Sequence, residues 1–209
     1  MRFFLFAEGR TEQMGLGDFL ARWLNARLPQ PVAVRVVKLG GRGNFQKAIA
    51  QKVAFHLARD TGGEVIAAVG LLDLYEGAAY PSDHTTAEDR YGWGVRHYEG
   101  LVGNERFRMF FAVHETEAWL LSDPGIFPSV VGEGIRSECA TAPEAVDFDD
   151  PPAKRLRGVY RTALRKKYRK VVDGVRLFRK LDPQVAYDKC PYLKRMLDEI
   201  LRLAREAGL

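Results

Sequence analysis

The sequence predicts an α/β fold with a mostly parallel sheet flanked by helices. Apolar runs of strand length alternate with longer segments whose apolar residues return at helical spacing. The run at residues 65–72, VIAAVGLL, is apolar throughout, as a strand covered on both faces must be. In order, residues 2–7 read as a buried first strand rich in phenylalanine. Leu16, Phe19, Leu20, Trp23, Leu24 and Leu28 fall on one helical face, and Pro29 and Pro31 stop that helix. Residues 32–39 are β-branched and strand-like. Gly40, Gly41 and Gly43 form a loop around Arg42, and Asn44 is expected to cap a helix reaching Arg59. Gly62 and Gly63 break the chain before the central strand, which ends at Asp73. A helix is expected over 86–102 in spite of Gly92, Gly94 and Gly100, then a strand over 107–113 and a helix through Ala118 and Leu121. The irregular, acidic stretch 132–152 divides the chain into an α/β domain at 1–132 and a helical region at 133–209 packed on it. Helices are expected there at 153–169, 174–181 and 191–207.

At 209 residues with 46% hydrophobic content, the chain can bury a full core and is not a disordered protein. No apolar stretch is long enough to span a bilayer, and the N-terminal run is too short for a signal peptide. Cys139 and Cys190 stand far apart with no metal-ligand spacing, so two free thiols in a reducing cytoplasm are expected. The net charge of +5 is unevenly spread. Residues 1–150 carry 15 Lys/Arg against 21 Asp/Glu, and residues 151–209 carry 17 against 6. An acidic body joined to a basic region predicts metal or proton chemistry in the first and an anionic partner, nucleic acid foremost, for the second.

Three strands end in acids: Glu8 after the first, Asp73 after the third, Glu115 and Glu117 after the fourth. Parallel strands place their carboxyl ends along one edge, where open α/β sheets bind ligands. Acids gathered there repel one another unless a cation or a shared proton offsets them. Magnesium, or manganese, suits such oxygen donors. The alternative is that each acid is a surface residue at the start of the next helix.

These residues also carry a resemblance. Glu8-Gly-x-Thr-Glu12 after a strand, with Asp73 after a later one, resembles the Toprim domain, in particular that of overcoming-lysogenization-defect (OLD) nucleases. The resemblance implies a metal site for phosphodiester chemistry with Glu8, Glu12 and Asp73 among its ligands. The pattern departs at Asp73-Leu74-Tyr75, where tyrosine replaces the second aspartate and Glu76 is out of step by one. Asp-Leu-Tyr, then His114-Glu-Thr-Glu-Ala-Trp-Leu-Leu-Ser-Asp, a later Tyr-x-Lys-x-x-Asp-Gly and Cys-Pro-Tyr-Leu-Lys-Arg-Met-Leu resemble a bacterial Toprim-like family, domain-of-unknown-function family 4276. That family implies a neighbouring ABC- or AAA-type ATPase and an antiphage role.

Other signals are weaker. The glycine loop at 40–43 matches neither phosphate-binding fingerprint, so any ATP chemistry must come from a partner. His56 reads as packing, His84 and His97 as surface. His114 and Tyr75 are candidate site-lining residues beside Glu115. Residues 154–170 hold nine Lys/Arg and no acid, with Tyr160 and Tyr168 interleaved. Arg161, Arg165, Lys166 and Lys167 are expected to contact nucleic acid along a helix, and Lys154 or Lys170 to neutralise charge at the reacting phosphate. The leading expectation is a magnesium-dependent nuclease or phosphodiesterase with Glu8, Asp73, Glu12 and Glu117 at the metal. Its rival is a non-catalytic nucleic-acid-binding or regulatory subunit whose metal site has degenerated at Tyr75.

Overall fold

The computed structural model describes residues 1–9, 12–74, 80–135, 137–145 and 150–209, without the side chains of Glu12 and Gln13. Four strands, β1 (Arg2–Ala7), β2 (Ala33–Lys38), β3 (Val65–Asp73) and β4 (Phe107–Ala112), form one all-parallel sheet in the order β2-β1-β3-β4. Ala7 pairs with Lys38 on one side and Leu71 on the other, and Asp73 lies beside Ala112. β3 is buried almost throughout, whereas β2 at the edge alternates between exposed and half-buried residues.

A period of two residues divides each strand between two cores. Phe3, Leu5, Val69 and Leu71 join α1 (Gly17–Asn25) in one core; Phe6, Ala68, Leu72 and Phe111 join α2 (Arg42–Ala58) and α3 (Ala87–Val102) in the other. α1 is entered through a π-helical turn, Glu12–Leu16. Phe45, Ile49 and Val53 of α2 are buried at a spacing of four, one helical face. Thr86 caps α3 by accepting from the Asp89 N–H at 3.1 Å, and Gly103 ends it in the left-handed conformation. The cap expected at Asn44 is not there: α2 begins at Arg42 with Gly41 before it. Gly40 and Gly41 have φ of 77° and 93°, so two left-handed glycines turn the chain where a capping side chain was expected.

After β4, α4 (Glu117–Leu121), α5 (Ser129–Gly132) and α6 (Ser137–Thr141) are short. α7 (Pro152–Leu164), α8 (Val175–Lys180), α9 (Pro183–Lys189) and α10 (Pro191–Glu206) follow. α9 was not expected from the sequence. α7 stops five residues short of the expected 169, because Arg165 adopts φ 53° and ψ 30° and caps it. α10 buries Leu193, Met196, Leu197, Ile200, Leu201 and Ala204, packs on β3 and β4, and belongs to the same core as Phe3 and Leu5. The Arg22 guanidinium of α1 donates to the Phe178 and Leu181 carbonyls at 2.7 and 2.9 Å, tying α8 to the first helix. Among the described residues no helix is long and apolar enough to cross a membrane, and both cysteines are buried and free.

Candidate functional site

The strand order makes a crevice. The chain leaves β1 toward β2 with α1 on one face, then returns to β3 with α2 on the other. The carboxyl ends of β1 and β3 are therefore the switch point at which such sheets bind ligands. Glu8 and Asp73 sit there. The Glu8 carbonyl accepts from the Gly40 and Gly41 N–H groups at 3.0 and 3.3 Å, which draws the glycine loop and Arg42 across the crevice. The Arg42 guanidinium donates to the Asp73 carbonyl and, at 3.2 Å, to the Tyr80 hydroxyl. Burial works against its charge, yet Tyr80, Tyr98 and the Glu8 carboxylate hold its pKa above the ordinary value.

Asp73 faces the other way as well. One carboxylate oxygen accepts from the Thr116 N–H at 3.1 Å, which anchors the turn after β4. The other lies 3.5 Å from Lys170 Nζ. The same ammonium is 3.0 Å from Glu117 Oε2, so Asp73 and Glu117 lie within reach of a single cation. Glu117 is fully buried, and its Oε1 has no hydrogen-bond partner among the described residues. Burial pushes the Glu117 carboxyl up to about 7, Lys170 pulls it back, and Asp73 and Glu115 push it further. Glu115 accepts from the Ala153 N–H at 2.8 Å; its carboxyl is also raised, by burial first, against that hydrogen bond, with Asp73 adding to the rise. Tyr168 lies within electrostatic reach of Glu117 and Lys170, its buried hydroxyl likewise without a hydrogen-bond partner among the described residues. Its pKa is pushed up by burial and then by Glu117.

The structure thus brings together Asp73, Glu115, Glu117 and Lys170, with Glu8 beside Arg42 one strand away. His114 is buried next to this group. The side chain of Glu12 and all of Tyr75 and Glu76 lie outside the described residues. Lys154 stands apart, exposed and 4.0 Å from Asp150. The sequence reading missed Arg42, Thr116 and Tyr80. Arg42 had a signal, its place among three glycines, while Thr116 acts through a backbone N–H that no side-chain motif reveals.

The donors here are carboxylate oxygens, one of them buried and unpartnered, a set that suits magnesium or manganese better than a soft metal. Among the described residues no group of three or more His, Cys, Asp or Glu side chains is arranged to hold an ion. The cation at Asp73 and Glu117 is the Lys170 ammonium.

The basic run is not one helical face. Lys154, Arg155 and Arg161 line a cleft of about 550 Å³ with Cys139 and Asp150, where Arg155 donates to Cys139 Sγ at 3.1 Å and pairs with Asp150 at 3.2 Å. Lys166, Lys167 and Arg169 line another, of about 670 Å³, while Arg165 is exposed at the helix end.

A family model described as Domain of unknown function (DUF4276) matches residues 7–201. No curated protein and no solved structure matches the chain.

Proposed function

The chain belongs to the family described as Domain of unknown function (DUF4276), and on that premise we propose that it is a divalent-metal-dependent phosphodiesterase acting on DNA or RNA. The observation that carries this reading is the meeting of Asp73, Glu117 and Lys170 at the switch point of a parallel sheet, with Glu8 and Arg42 beside them. Asp73 and Glu117 would hold the ion, with Glu8 and Glu12 in support. Bound magnesium or manganese supplies Lewis acidity toward a phosphate oxygen and a more acidic water. Lys170, already at the carboxylates, would meet negative charge as it develops on the phosphate, and Arg42 would hold a neighbouring phosphate. Glu117 is buried with a carboxyl near 7 in the metal-free protein, so taking up the ion at neutral pH would release its proton. The Toprim resemblance of the strand-end acids supports the same chemistry. It also supports a Toprim-like fold with a basic C-terminal extension, an ABC- or AAA-type ATPase partner and an antiphage role in the cytoplasm.

A second reading, a non-catalytic nucleic-acid-binding subunit, is favoured by one observation: Lys170 already bridges the two carboxylates as a metal would. Labelled single- and double-stranded DNA and RNA, incubated with the protein in magnesium, manganese or EDTA, separate the two. Cleavage is expected with metal and not with EDTA. Glu8→Gln and Asp73→Asn should each lower it about 100-fold or more, the scale at which electrostatic groups contribute, with the thermal midpoint kept. Binding without cleavage under every metal condition would establish the second reading.

A further inference from the structure

The cleft of about 670 Å³ gathers more charge than the sequence run foretells. Arg176 and Lys180 of α8 join Lys166, Lys167 and Arg169, and all five are exposed. The acid in the lining, Asp173, is engaged already: it accepts from the Arg169 N–H at 2.7 Å and lies 3.7 Å from Arg169 Nε. Like charges held this close repel, and a polyanion offsets that repulsion while releasing its condensed counterions. The floor is apolar, with Ile126, Leu164 and Leu177.

We propose that this cleft holds a single nucleic-acid strand and directs it to the carboxylate edge, an inference that rests on the nucleic-acid reading of that edge. The size argues for a single strand. The volume lies within the range of about 300–1,000 Å³ in which pockets hold a small molecule. Unpaired bases can enter and lie on the apolar floor while their phosphates meet the cationic rim. A duplex keeps its bases inside and can only touch the rim. The direction follows from the chain. Arg169 lines the cleft and the next residue, Lys170, reaches Asp73 and Glu117, so the cleft rim and the carboxylates share one chain segment.

The test uses the full chain in EDTA, where cleavage is not needed. Fluorescence anisotropy follows a labelled single strand of about 12 nucleotides, inside the range of about 4–16 that single-strand sites occupy, and the duplex of the same sequence. The single strand should bind about 10-fold tighter or more, a difference of about 1.4 kcal/mol. Arg176→Glu with Lys180→Glu, neither in the basic run, should weaken it at least about 10-fold and flatten the salt slope by about 0.7 for each phosphate no longer neutralised. Arg176→Gln with Lys180→Gln should give a smaller weakening of the same kind, and Arg205→Glu, exposed on α10 and outside the cleft lining, should bind as wild type. Equal affinity for duplex and single strand, wild-type binding by the cleft variants, or stronger displacement by polyglutamate than by unlabelled strand would each overturn the proposal. Cleft-dependent binding without cleavage in metal would overturn the phosphodiesterase reading alone. Cleavage with unimpaired binding in the cleft variants would overturn this inference alone.

Discussion

At Glu117, burial and the Lys170 charge pull in opposite directions. Burial raises its carboxyl to about 7, and burial does the same for Glu144, which accepts from the Trp119 Nε1–H and the Tyr192 and Leu193 N–H groups at 3.2, 2.7 and 3.2 Å. Both lie above the value of about 4.3 expected of glutamate in an unfolded chain. Between those limits the folded protein keeps protons that the unfolded chain has released. Stability from both sites is therefore full below about pH 4 and falls as pH rises toward about 7. In metal-free protein, Lys170→Met should cost up to about 3 kcal/mol at pH 8, where a buried carboxylate loses its cation, and much less at pH 5, where Glu117 is protonated. Urea midpoints at the two pH values measure the difference; equal losses would assign Lys170 to packing. Glu144→Ala leaves three N–H donors without their acceptor and should cost about 2–4 kcal/mol, seen as a thermal midpoint about 5–15 °C lower.

At the scale of the element, the glycines of α3 illustrate how packing overrides propensity. Each weakens a helix by about 1 kcal/mol relative to alanine. Gly100 is exposed, and an added Cβ would meet nothing within 4 Å. Gly94 is buried, and a Cβ there would stand 2.5 Å from the Phe111 ring of β4. Gly100→Ala should therefore stabilise by about 0.5–1 kcal/mol, while Gly94→Ala should destabilise by about 1–3 kcal/mol through overpacking. Chemical denaturation of the two single variants checks both signs. Arg165 is the opposite case, a residue without glycine's freedom in the left-handed region, and it ends α7 there. Its turn parts the basic run into two clefts.

At the scale of the molecule, the helices after β4 cover the sheet. Phe178, Leu193, Met196 and Leu197 are buried in one core with Leu5, Val69 and Trp119. A chain ending at Gly132 would expose those strand residues to water. Its expected behaviour is loss of cooperative unfolding and strong binding of a hydrophobic dye, as measured by calorimetry and dye fluorescence. A sharp thermal transition in that fragment would show that the first 132 residues fold alone.

The sequence by itself determined the order and type of the main elements and the acids at their ends, because helical and strand periodicities are carried by residues a few positions apart. It also located Glu8, Asp73 and Glu117, each following an apolar run. It did not reveal that helix α7 would end at Arg165, since no glycine, asparagine or proline marks that point, nor that two left-handed glycines would replace Asn44 as the start of α2. The tertiary structure decided which acids are neighbours. The order β2-β1-β3-β4 sets β1 beside β3, and Lys170 meets Asp73 across 97 residues of sequence. Such pairings come from the joint burial of distant segments in shared cores, and no local spacing encodes them.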